Sequence, residues 1–158
     1  MDPVEVMFRY FWLMAIPVTA ANGLYFWIKG SAAAGDDADR REALRRFVVV
    51  FVVWSVLPWL WMGAGIMAGG AETVMSYFHP TSGGIWVWSW HGLMILLVLV
   101  AAGWVFVGKG AAWIAENHEL FQRMPNEPWL VRGVVGLMVV GTVAAEIAMW
   151  MGAFPAEF

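Results

Sequence analysis

The chain reads as an all-α integral membrane protein, a four-helix bundle made of two tandem helical hairpins. Three observations predict this. Of 158 residues, 61% are hydrophobic and only 13% are charged, against about 25% charged in an ordinary soluble domain. Mean hydropathy is +0.68. The apolar residues fall in four long runs rather than in stripes at every third or fourth position. A helix that is apolar all round belongs in a very large core or in lipid, and a chain this short has no room to bury four of them in itself.

The four spans are expected at about 4–28, 47–68, 84–107 and 130–152. Each is long enough to cross a hydrocarbon layer of about 30 Å at about 1.5 Å per residue. Only helices satisfy the backbone of such runs in lipid. The first run is preceded by MDPVEV, acidic and without Lys or Arg before Arg9. It lacks the positive region of a secretory signal and is read as a retained span.

Between the spans lie two inner loops, 29–46 and 108–129, and one outer loop, 69–83. The basic residues set this orientation. Lys29, Arg40, Arg41, Arg45 and Arg46 lie between the first two spans; Lys109, Arg123 and Arg132 lie between or at the ends of the last two. Only Arg9 lies elsewhere, so the positive-inside rule puts both termini on the outer side of a bacterial inner membrane. These basic residues sit at membrane edges and form no continuous patch, which gives no reason to expect nucleic-acid binding.

The first inner loop, GSAAAGDDADRREALRR, is expected to begin flexibly and then to extend the second span inward as a helix. Asp36–Arg40, Asp37–Arg41 and Glu42–Arg46 are acid-first i,i+4 pairs, the favourable order on a helix. In the second inner loop Trp113, Leu120, Phe121 and Met124 can share a helical face, with Glu116, Glu119 and Gln122 turned away. That pattern suits a helix lying in the membrane interface, broken before the fourth span by Pro125 and Pro128.

The junction of the second and third spans, Leu57 to His91, is dense in Trp, Gly and Pro and carries no Lys or Arg. Its LPWLWMGAGIMAGG followed by YFHPTSGG resembles a pattern in small bacterial integral membrane proteins with the same run of four spans. The resemblance covers mainly residues 57–84 and implies the four-span fold but no particular activity. Across both halves of the chain, Trp residues gather toward the expected outer interface (Trp12, Trp86, Trp88, Trp90, Trp150) and inner interface (Trp27, Trp104, Trp113, Trp129), as in aromatic belts.

An internal repeat is also legible. Leu13–Ala32 and Leu93–Ala112 align without a gap with nine of twenty positions identical, including Gly23/Gly103, Phe26/Phe106 and the pairs Lys29-Gly30 and Lys109-Gly110. Trp61-Met62-Gly63-Ala64 recurs as Trp150-Met151-Gly152-Ala153. The matched helices would run the same way across the membrane, giving two hairpins related by a parallel pseudo-two-fold axis.

No Cys is present, which removes disulfide exchange, thiolate zinc, iron–sulfur and covalently attached haem. The three His are spread over a span, the outer loop and an inner loop, a poor basis for axial haem ligation. No cofactor and no metal site are expected. No protease, Walker, Rossmann or metal-hydrolase motif occurs.

The candidate functional residues are the polar ones inside spans. His91, Glu146 and Arg9 each lie roughly 8–11 Å below the outer interface by residue count, with Thr142 one turn from Glu146. Ionisable groups at that depth should face the interior and find partners. The functional reading is a proton- or ion-responsive cluster; the structural one is a tie between the third and fourth spans, with Arg9 paired to Glu5. Asn22 and Thr19 are candidate interior polar residues. Pro17 and Pro58 are candidate kinks whose freed carbonyls could line a cavity. Gly65 and Gly69, and the stripe Gly141, Ala144, Ala145, Ala148 and Gly152, are candidate helix-packing positions.

Three functions are carried forward. The first is a non-catalytic accessory or assembly subunit of a larger membrane complex, in contact with lipid and a membrane-protein partner or a second copy. The alternative is a small oligomeric transporter or channel using the Glu146/His91 pair. The third is a redox or quinone-site subunit.

Overall fold

A computed structural model describes residues 3–121 and 124–153. Gln122 and Arg123, which the sequence reading places in the second inner loop, lie outside the described residues. The fold is all-α, with no strand among the described residues. Its elements are α1 (Pro3–Ala34), α2 (Ala38–Met67), α3 (Ile85–Phe106), α4 (Gly110–Glu116) and α5 (Pro128–Trp150), with short 3₁₀ turns at Val74–Phe78, Pro80–Ser82 and His118–Leu120.

α1, α2, α3 and α5 are each long and apolar enough to cross a membrane. Their apolar residues are not spent on an interior. Only 6% of the most apolar window of α1 and of α5 is buried, and 22% in α3. Leu99, Leu137 and Val140 are each more than 60% exposed. In water such surfaces would drive aggregation; in lipid they are solvated. The chain is a multi-pass membrane protein.

The chain forms two compact units, Met1–Trp90 and His91–Phe158. In the first, α1 and α2 make a hairpin. Glycines on one helix receive side chains of the other: Gly23 meets Val52, Gly30 meets Leu44, and Gly63 meets the Trp12 ring. Phe26 packs edge-on against Phe51 at 5.0 Å between ring centres. The turn is short. Gly35 takes a left-handed conformation (φ 55°), and the Asp37 side chain caps α2 by accepting from the Arg40 backbone N–H at 3.0 Å.

Two expectations for this region change. α1 continues through residues 29–34, so the first inner loop contracts to a three-residue turn. Asp36 and Asp37 precede α2 rather than lying on it, so the i,i+4 geometry holds only for Glu42–Arg46, at 2.9 Å. Arg41 instead reaches Asp36 at 3.8 Å, and Asp37 serves as a cap.

The connection from α2 to α3 is an ordered plug. Thr73 and Ser76 form a capping box at its first 3₁₀ turn. Val74, Tyr77 and Pro80 are buried. The Tyr77 hydroxyl donates to the Met62 carbonyl at 3.2 Å and fills the space that a side chain at Gly65 would need. Burial pushes the Tyr77 phenol up from its ordinary 10 to about 12. Trp61 Nε1 donates to Ser89 Oγ at 3.0 Å, and its ring lies against Trp86. Trp86 and the buried Trp90, which packs edge-on against Tyr77, take part in this packing. Trp88, on the other face, is 52% exposed.

In the second unit α4 and the following 3₁₀ turn fold back on α5. Val105, Ala111, Ile114, Ala115 and Val131 form a buried cluster, with Trp113, Phe121 and Met124 packed against it. Leu120 is 3% exposed. The apolar face expected to lie in the membrane interface is turned onto the chain's own core. One continuous helix does not form, because α4 stops at Glu116 and Asn117 bonds back to the Trp113 carbonyl. Pro128 stands in the first turn of α5, where its missing N–H costs nothing.

The repeated segments take different local structures. Lys29-Gly30 lies inside α1, whereas Lys109 precedes α4 and Gly110 opens it. Trp61 to Ala64 lies inside α2, whereas Trp150 ends α5 and Gly152 is left-handed (φ 67°).

Candidate functional site: the His91–Glu146 pair and its cavity

The second unit brings together two of the four residues expected to form a polar cluster. His91 lies in α3, six residues after Ile85, and Glu146 lies in α5, four residues before Trp150. His91 Nδ1 stands 2.7 Å from Glu146 Oε2. The His91 side chain is 2% exposed and that of Glu146 is 13% exposed. The Trp150 ring lies 5.7 Å from the imidazole, one turn beyond Glu146. A 2.7 Å contact is in the range of a charge-assisted hydrogen bond. It joins the two helices at one level.

Beside this tie, α3 and α5 border a half-open cavity of about 520 Å³, flanked by the exposed Ile95, Leu99, Val143 and Ile147, within the range of about 300–1,000 Å³ typical of small-molecule sites. From α3 it is lined by residues that include Met94, Val98 and Ala102, and from α5 by residues that include Val139, Thr142 and Glu146. The wall is almost wholly apolar. Glu146 is its one charged residue, and Trp150 its one aromatic residue. Glu146 thus has two roles in the geometry: Oε2 holds His91, and the same carboxylate borders the cavity.

Thr142 also borders the cavity, but its hydroxyl donates to the Met138 carbonyl of its own helix at 2.9 Å. It adds an acceptor to the cavity and no free donor. Arg9 is in the other unit, half-buried on α1.

The remaining sequence candidates fall elsewhere. Asn22 is exposed on α1, not interior, because the face of α1 that meets α2 carries Gly23, Phe26 and Gly30. Thr19 is half-buried and donates to the Ala15 carbonyl of its own helix at 2.8 Å. Pro17 and Pro58 lie inside α1 and α2, and neither borders the cavity. Gly65 is a packing position, against Tyr77 and Trp86. Gly69 and Gly152 are not; both lie past the ends of their helices with φ of 74° and 67° and open space around them, where glycine's tolerance of the left-handed region ends a helix. Gly141, Ala144 and Ala145 are exposed on α5, and Ala148 is half-buried.

No protein-family model, curated protein or solved structure matches the chain. The site therefore rests on its own geometry. Among the described residues no group of three His, Cys, Asp or Glu is arranged to hold a metal ion.

The cavity is not legible in the sequence. Met94, Val98 and Ala102 recur at i,i+4, as do Thr142, Glu146 and Trp150. In helices apolar on every side, that spacing singles out no face. The signal available was Glu146 itself, the one acid deep in an apolar run.

Proposed function

We propose that the protein is a small, non-catalytic membrane transporter that binds its substrate at Glu146. One observation carries this reading: a carboxylate within an apolar helix is held by a buried histidine at 2.7 Å while it borders a ligand-sized cavity. Placing an ionisable group at that depth is costly, and such groups in membrane helices mark substrate or ion pathways. The orientation expected from the basic residues puts Glu146 in the outer half of the membrane. The test is flux in liposomes reconstituted with the full chain. Cation- or proton-linked flux is expected to fall at least tenfold in Glu146→Gln. Unchanged flux in that variant, with the protein folded, would sink the role.

An accessory subunit of a larger membrane complex is the second reading. Exposed Gly141, Ala144 and Ala145 on α5, and Asn22 on α1, favour it. Small residues let helix backbones approach, and a polar side chain within a span gains from an interhelical partner. Against it, the amphipathic segment around Trp113 and Leu120 is used inside the chain, and Gly65 is used to seat Tyr77. Gentle purification from native membranes followed by mass spectrometry tests it: a stoichiometric partner supports it, and a lone chain counts against it.

A further inference from the structure

We infer that the α3–α5 cavity takes a lipophilic monovalent ammonium, its apolar body between the helices and its charged nitrogen on Glu146. The inference rests on the reading of Glu146 as the substrate-binding carboxylate and names the substrate class.

The lining decides the chemistry. Glu146 Oε2 is occupied by His91 Nδ1 at 2.7 Å, while among the described residues no donor reaches Oε1. Thr142 has committed its hydroxyl hydrogen to Met138. The polar edge formed by Glu146 and Thr142 therefore accepts hydrogen bonds and does not donate them. A ligand with carbonyl or anionic oxygens, an oxidised quinone included, brings more acceptors to that edge and finds no partner there. An ammonium brings donors and a positive charge to a carboxylate in an apolar wall, where water competes little.

Trp150, the one aromatic residue of the lining, lies one turn beyond Glu146, and an indole face attracts a cation. No Lys or Arg borders the cavity to repel one. The rest of the wall is aliphatic, and the unbranched, adaptable side chains of Met94 and Met151 suit apolar bodies of varied shape.

The experiment uses the full chain in nanodiscs of phosphatidylcholine, a lipid without net charge. The probe is pyrenylmethylammonium, and its neutral counterpart pyrenylmethanol is the control. Saturable binding of the ammonium is expected, read by energy transfer from tryptophan to pyrene. Glu146→Gln should weaken it at least tenfold and leave the alcohol unchanged. Val98→Trp, which puts bulk into the cavity about two turns from His91, should weaken saturable binding even if Glu146→Gln folds poorly.

Equal binding of alcohol and ammonium by the unaltered chain would overturn the proposal and make the cavity a seat for lipid chains. So would binding that neither Glu146→Gln nor Val98→Trp weakens. Glu146-dependent flux of sodium or potassium without ammonium binding would also overturn it, leaving transport standing with a different substrate. Ammonium binding without flux of any cation would support the site and sink transport.

Discussion

Removing His91 or Glu146 alone leaves the other as a polar group in an apolar setting, whereas removing both leaves none. The pair is largely buried, so losing its contact is costly, though membrane proteins dampen the cost because the unfolded chain in lipid also finds partners. We expect His91→Leu to cost about 1–3 kcal/mol, in the range of hydrogen bonds to charged groups. The double variant His91→Leu/Glu146→Leu should be less destabilised than the sum of the two single changes. A double-mutant cycle by thermal or denaturant unfolding in detergent measures this, and strict additivity would show that the 2.7 Å contact carries no coupling.

Tyr77 makes a second prediction at this scale. Its phenol is buried, neutral and donates to Met62. Because the folded pKa is raised to about 12, the stabilisation is fully present below the unfolded value near 10 and is lost as pH rises through about 12. Tyr77→Phe should cost about 1 kcal/mol at neutral pH. It should also flatten the alkaline loss of stability between about pH 10 and 12, read by unfolding at each pH.

At the scale of elements, the small residues divide by face. A methyl at Gly65 would run into the Tyr77 hydroxyl and the Trp86 side chain, whereas one at Gly141 meets nothing within 4 Å. Alanine favours a helix over glycine by about 1 kcal/mol in both places. At Gly65 the overpacking term, about 1–3 kcal/mol, is expected to outweigh it. Gly65→Ala should therefore destabilise the chain and Gly141→Ala should not, measured by thermal unfolding in detergent. If Gly141→Ala leaves the fold intact but strips a co-purifying protein, the accessory reading gains.

At the scale of the whole molecule, the prediction concerns sidedness. Because the chain has no Cys, single cysteines can be introduced on a clean background. Cysteines replacing Asp36 in the α1–α2 turn and Thr81 in the α2–α3 connection are exposed positions. They should be labelled by a membrane-impermeant thiol reagent from opposite sides of the membrane, with Thr81→Cys reactive from the side opposite the basic residues. Labelling of both from one side would contradict a pass of α2 across the bilayer. Labelling with the sides exchanged would invert the orientation that the basic residues imply.

Sequence alone determined the class of molecule. Four apolar runs of spanning length correspond to the four long apolar helices, and α2 carries the inward helical extension expected of residues 38–46, whereas α1 runs on to Ala34. It also marked His91 and Glu146, because an ionisable group in an apolar run stands out without any knowledge of its neighbours. What it left open was rotation. A helix apolar on every side has no face written into its composition, so whether Asn22 points in or out and which residues line a cavity depend on how the helices pack. Only the tertiary structure put Oε2 of Glu146 on His91, turned Trp113 and Leu120 onto the chain's own core, and made Tyr77 the plug of its loop. Each of these depends on shape complementarity between segments distant in the chain, and composition and spacing carry no record of that.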